Sequence, residues 1–179
     1  MGWFGKPTLD IAALVDAHYA PLYRYAYRLS GSGPEAEDLT QEAFCQAQHK
    51  LHQLRDPERA KAWLFTILRN AYLHRLRASK PERQLTPDGA AEIPDRPTEP
   101  LPLVDSAELQ KALNELPEVF RTPIILYYFE DFSYKDIAEQ MNVPLGTIMS
   151  RLARGKAYLR ERLMDQADLM EKANQGEVL

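Results

Sequence analysis

The stretch "FSYKDIAEQMNVPLGTIMSRLARGKAYLRERL", residues 132 to 163, reads as a helix, a tight turn and a second helix. Ser133 is a capping residue type with Asp136 three positions on, the spacing of a capping box. Ile137, Ala138 and Met141 supply an inner face. Asn142 tolerates the left-handed backbone that a tight turn demands, and Pro144 suits the opening of a helix. On the second helix Ile148, Leu152, Leu159 and Leu163 form one stripe. Thr147, Ser150, Arg151, Arg154 and Tyr158 share a different face. This pattern predicts a helix-turn-helix. Its polar face suits a DNA major groove, where guanidinium groups reach phosphates and guanine edges. Gly146, Thr147 and Ser150 are small enough for close approach. Arg160 and Arg162 read as plain surface charges.

Bulk charge does not advertise such a site. The 179 residues carry Lys+Arg 22 against Asp+Glu 26, net −4, so a nucleic-acid face must come from local clustering. Residues 142 to 156 supply it, with Arg151, Arg154 and Lys156 and no acid. Just upstream, "LQKALNELPEVFRTPIILYYFEDF" (109 to 132) supplies supporting helices. Leu109, Leu113, Leu116, Val119, Phe120 and Ile124 are their core candidates. Tyr127, Tyr128 and Phe129 read as packing rather than as a base-stacking platform.

Residues 79–107 differ from their surroundings. They hold Pro81, Pro87, Pro94, Pro97, Pro100 and Pro102, and acids outnumber bases. Proline blocks helices and strand ladders, so the segment reads as an extended acidic linker. It divides the chain into a domain over 8–78 and another over 108–165, followed by a charged tail, 166–179, expected to fray. The first domain is also helical. Ile11, Leu14, Val15, Tyr19, Leu22, Ala26 and Leu29 recur at three- and four-residue steps, with Pro21 expected to bend or split that helix. "SGSGP" ends it and starts a second, with Pro34 in the first turn and Ala36, Leu39, Ala43, Ala47, Leu51 and Leu54 buried. After a break at "RDPER", "AKAWLFTILRNAYLHRLRA" forms a third. The fold class is all-α: two small helical domains joined by a Pro-rich acidic linker.

Other classes fall away on composition. The single cysteine, Cys45, cannot form an internal disulfide, which fits a reducing, cytoplasmic setting. The most apolar run, "PIILYYF" (123 to 129), is too short to insert in a membrane, and the first residues lack a signal core. No Ser/His/Asp set, phosphate-binding glycine loop or carboxylate dyad is present, so neither catalysis nor a cofactor is expected.

"DLTQEAFCQA" (38 to 47), "AWLFTILRNAYLHRLR" (62 to 77) and "LPEVFRTPIILYYFEDFSYKDIAEQMNVPLGTIMSRLARGKAYLRERL" (116 to 163) resemble the extracytoplasmic-function (ECF) sigma factors of the sigma-70 family. The resemblance covers both domains in the right order. It implies a chain that joins the core of RNA polymerase and directs initiation at promoters with −35 and −10 elements. "DLTQE" resembles the segment that grips the polymerase β′ coiled coil, which makes Asp38, Gln41 and Glu42 the implied contacts. Their helix face is acidic and lies opposite the Leu39/Ala43/Ala47 stripe, which suits a basic partner. "AWLFTILRNAYLHRLR" resembles the −10 reader. Trp63 matches a family aromatic that mostly packs, Asn70 matches a family Asn near the non-template strand, and His74 stands one turn later. Arg69, Arg75, Arg77 and Lys80 form a basic surface for phosphates. "HQLRDPERAK" (52 to 61) resembles the loop that captures a flipped base, with Arg55, Asp56, Glu58 and Lys61 as candidates.

By the same motif match the C-terminal domain reads the −35 element through Ser150, Arg151 and Arg154, with Thr147 and Lys156 next. The resemblance also implies a seat on the polymerase β flap and control by an anti-sigma factor. The acidic linker resembles the connector threaded through the polymerase channels; extended at about 3 Å per residue, 79 to 107 could span roughly 90 Å.

Two other readings compete. A stand-alone helix-turn-helix regulator with a helical sensor domain leaves "DLTQE" and "RNAYLHRLR" unexplained. A zinc site is suggested by Glu42, Cys45, His49 and His52 at steps of three, four and three. One helix seldom closes such a site, so the expectation is no metal.

Overall fold

Among the described residues, seven α-helices carry the fold. The computed structural model describes residues 10–79 and 106–174, with side chains to 164; Lys80 and the linker between 80 and 105 lie outside the described residues. The chain divides into two units, Met1–Arg83 and Gln84–Leu179. Every long element among the described residues is an α-helix, as the three- and four-residue spacing predicts.

The first unit packs α1 (Ile11–Ser30), α2 (Gly33–Lys50) and α3 (Ala60–Ser79) against one another. The α1–α2 corner follows from "SGSGP". Gly31 adopts φ 73°, the left-handed conformation that closes a helix at little cost to glycine, and its N–H donates to the Tyr27 carbonyl at 2.7 Å. Ser32 then caps α2, its hydroxyl accepting from the Glu35 N–H, with Pro34 in the first turn.

Leu22, Leu29, Leu39, Leu64 and Leu68 are fully buried, each contributing about 1.5–3 kcal/mol. Pro21 does not split α1: one helix runs through it, and residues on both sides of it, Leu14 and Leu22, bury the same face. Tyr19, expected inside, stands at the margin of the stripe, 43% exposed. Tyr25 takes the core place, stacked on Phe65 with ring centroids 4.7 Å apart. The second helix also ends earlier than its spacing suggests. Leu51 begins a short 3-10 turn (Leu51–Gln53), and a second such turn (Pro57–Arg59) leads into α3.

The second unit holds α4 (Ser106–Glu115), α5 (Glu118–Glu130), α6 (Tyr134–Met141) and α7 (Leu145–Asn174). The long α7 packs on α4, α5 and α6. Leu113, Ile124, Ile125, Leu126 and Ile137 form its center, while Leu109, Val119 and Phe120 are half-buried. Arg121 braces the α4–α5 corner, donating to the Leu116 and Asn114 carbonyls at 2.7 and 3.0 Å. Helix α7 continues to Asn174, and residues 175–179 of the tail lie outside the described residues.

Candidate nucleic-acid interface

The helix-turn-helix forms as its local signals dictate. The Ser133 hydroxyl accepts from the Asp136 N–H at 3.1 Å, and the Asp136 carboxylate accepts from the Ser133 N–H at 3.2 Å, a complete capping box. Asn142 adopts φ 53°, and the Val143 N–H donates back to the Ala138 carbonyl at 3.1 Å. Pro144 then starts α7, its carbonyl accepting from the Thr147 and Ile148 N–H groups.

Helix α7 is seated by Ile148, Leu152, Leu159 and Leu163, all at most 5% exposed. Gly155 belongs to the same seat: it is buried, and a Cβ there would lie 2.9 Å from Ile124 Cγ1. Its place between Leu152 and Leu159, seven residues after Ile148, is the signal by which the sequence could have revealed it. Away from this seat, Gly146 is exposed, while Thr147, Ser150, Arg151 and Arg154 are half-buried. Leu145 and Met149, 48% and 50% exposed, add apolar surface to the same first turns.

Three residues near this face have other partners. Lys156 lies about 120° around the helix from Ser150, with its ammonium 5.9 Å from the center of the Tyr128 ring on α5. The Tyr158 hydroxyl donates to Glu115 Oε2 at 3.2 Å. Arg162 is not a plain surface charge: its Nε and Nη2 donate to Glu115 at 2.7 and 3.1 Å, tying α7 to α4. The hydrogen bond from Arg162 holds the Glu115 carboxyl below its usual range. On α5, Tyr127 packs edge-on to Tyr128 and tilted against Tyr134, so these rings serve packing.

In the first unit Asp38, Gln41, Cys45 and His49 are exposed along α2. Glu42 lies among them but is committed rather than open. Its Oε2 accepts from Arg75 Nη2 at 2.6 Å and Nε at 3.2 Å, and its Oε1 from Gln46 Nε2 at 3.1 Å. Nδ1 of His49 donates to the Cys45 carbonyl at 2.7 Å, and His52 lies beyond α2 in the 3-10 turn. Of the four zinc candidates, Glu42 and His49 are thus engaged elsewhere, and His52 lies off the helix that carries the other three. No group of three or more His, Cys, Asp or Glu suited to a metal converges among the described residues.

On α3, Asn70, His74 and Arg77 are exposed at steps of four and three, one stripe, with half-buried Arg69 beside it. Arg75 faces α2 instead. Lys61 lies on the side of α3 opposite Asn70, over the Phe65 ring at 5.5 Å and near His18 on α1. Burial, and then the Lys61 charge, push the His18 pKa down. Arg55 and Glu58 are exposed in the segment between α2 and α3. Asp56 caps the second 3-10 turn, accepting from the Glu58 N–H at 3.0 Å. Trp63 is half-buried.

The described residues thus form two helical units, with a helix-turn-helix in the second. The models of Sigma-70 region 2 and Sigma-70 region 4 match residues 14–82 and 106–159. SigW of Bacillus subtilis, an ECF RNA polymerase sigma factor, is 32% identical over 170 residues, covering 86% of this chain and 89% of its own. RpoE of Cereibacter sphaeroides, another, is 33% identical over 153 residues, covering 82% of each chain. Among solved structures, the sigma factor RpoE bound to the anti-sigma factor NepR from Bartonella quintana is similar. Its TM-score is 0.71 at 31% identity, over 87% of this chain and 97% of that one. The chain belongs to the ECF sigma factors of the sigma-70 family. It is an alternative sigma factor, directing promoter-specific transcription initiation by RNA polymerase. Sigma factors are initiation factors, not enzymes. No helix among the described residues is long and apolar enough to cross a membrane.

Proposed function

We propose that the two units divide the work of promoter recognition. The region spanning 8–78 docks on the polymerase β′ coiled coil through the outer face of α2, with Asp38 and Gln41 presented directly and Glu42 held among them. The Asn70, His74 and Arg77 stripe of α3, flanked by Arg69, takes the −10 element, and Arg55 serves the adjoining base-capture loop. The region spanning 108–165 reads the −35 element and sits on the β flap. Ser150, Arg151 and Arg154 of α7 enter the major groove, with Thr147 at the helix start. Lys156, turned toward Tyr128, adds positive charge at the edge of this surface.

The observation that carries this reading is the helix-turn-helix itself, closed by the capping box and Asn142, with Ser150 and Arg154 away from the buried seat of α7. The Sigma-70 region 2 match over the other half disfavors a stand-alone regulator, which has no use for a polymerase-binding unit. Its net charge of −4 weakens nonspecific DNA binding by the free chain, so selectivity comes from assembly on polymerase. Work on polymerase sets the chain in the cytoplasm and needs no catalysis of its own. An anti-sigma factor, of the kind bound in the Bartonella complex, holds it inactive by covering the same faces.

The test is run-off transcription with purified bacterial core polymerase on a library of promoter fragments, with and without the chain. Initiation that requires the chain and selects a −35/−10 pair supports the reading. Tight DNA binding by the chain alone with no initiation would sink it.

A further inference from the structure

The Glu42–Arg75 pair joins two faces that the sequence assigns to different partners. Glu42 belongs to the polymerase-docking face proposed above, and Arg75 to the basic surface expected for the −10 element. The pair spans 33 residues of sequence and bridges α2 to α3. Both side chains are 35% exposed. The Arg75 fork places two N–H groups on Glu42 Oε2, while Gln46 occupies Oε1 from the next turn of α2. A glutamate on an open helix face samples many rotamers and loses them on docking. Here both oxygens are held before any partner arrives, and Oε1, which accepts a single bond, keeps acceptor capacity for one. Arg75 lies about 140° around α3 from Asn70, turned toward α2 rather than lined up with the Asn70, His74 and Arg77 stripe.

We propose that Arg75 is a positioning residue for polymerase docking: it holds the Glu42 carboxylate in its binding geometry and does not contact promoter DNA. The inference rests on the docking role of the α2 face. It also fixes a sign. Were Arg75 only a positive charge beside a basic partner, removing it would tighten docking; as a positioner, removing it loosens docking.

Two measurements on the full chain separate the roles. The first is affinity for core polymerase without DNA, for wild type, Arg75→Gln, Arg75→Lys, Glu42→Gln and the double variant Glu42→Gln/Arg75→Gln. The second is the salt dependence of fork-DNA binding by the assembled holoenzyme. Circular-dichroism melts check that each variant is folded at the assay temperature. The expected results are a loss of about 3- to 10-fold in core affinity for Arg75→Gln, the factor for ordering one long side chain, and partial rescue by Arg75→Lys. The double variant should lose no more than Glu42→Gln alone, and the DNA salt slope should stay unchanged. The proposal is overturned if Arg75→Gln leaves core affinity unchanged or tightens it, or if it lowers the salt slope by about one, as loss of a phosphate contact does. A wild-type chain that fails to bind core polymerase overturns the docking reading itself, and this inference with it. Wild-type affinity in Glu42→Gln alongside a loss in Arg75→Gln overturns this inference alone.

Discussion

Two glycines on α7 provide a matched pair for testing how the recognition helix is seated. At Gly155 a Cβ would stand 2.9 Å from Ile124 Cγ1, 3.3 Å from its Cδ1 and 3.5 Å from Phe120 Cβ. Ile124 is completely buried and β-branched, so it has few other rotamers. Overpacking of this kind costs about 1–3 kcal/mol. Replacing a glycine inside a helix returns about 1 kcal/mol. Gly155→Ala is therefore expected to destabilize the C-terminal unit by up to about 2 kcal/mol. At Gly146 an added Cβ meets nothing within 4 Å. Gly146→Ala is expected to gain up to about 1 kcal/mol. The same substitution on one helix should thus act with opposite sign at the two sites. Amide hydrogen exchange of α5 and α7 in the full chain reads the difference locally, without assuming that both units unfold together. Ile124→Ala removes the obstructing carbons, so combined with Gly155→Ala it should cost less than the sum of the two changes, by at least about 0.5 kcal/mol. If Gly155→Ala raised protection as much as Gly146→Ala, close packing of α7 on Ile124 would be refuted.

Further predictions concern the caps and charges of the same unit. Ser133→Ala removes the acceptor for the Asp136 N–H and should lower the stability of α6 by about 1 kcal/mol, read by exchange of its first-turn amides. In holoenzyme bound to −35 DNA, Arg154→Gln should reduce the salt slope by about one. Arg162→Gln should leave that slope intact and instead increase exchange in α4, because its partner is Glu115. The hydrogen bond with Tyr127 pushes the Tyr134 pKa up to about 12. That raised value gives stability present below the unfolded phenol value of about 10 and lost as pH rises through about 12. Ultraviolet titration should therefore show a late-ionizing phenol that disappears in Tyr134→Phe.

Much of the architecture was legible because it rests on local signals. Ser133 with Asp136, Asn142, Pro144 and the Ile148/Leu152/Leu159/Leu163 stripe each act within a few residues, and the structure realizes all of them. Pro21 does not split α1, because proline's effect depends on its surroundings: residues on both sides of it bury one face of a single helix. Tyr19 and Tyr25 show a similar limit, since a spacing rule marks a broad stripe while the facing helix decides which ring fills the core.

The order of elements, the helix-turn-helix and the family follow from the sequence by itself, because caps, turns and apolar periods are properties of short segments. Tertiary structure alone decided which charged residues are committed. Arg75 meets Glu42 across 33 residues and Arg162 meets Glu115 across 47. Lys156 turns to Tyr128 while Ser150 and Arg154 lie on another side of the same helix. A side chain's charge is written in its residue type, but its partner is set by which helices pack together and at what rotation.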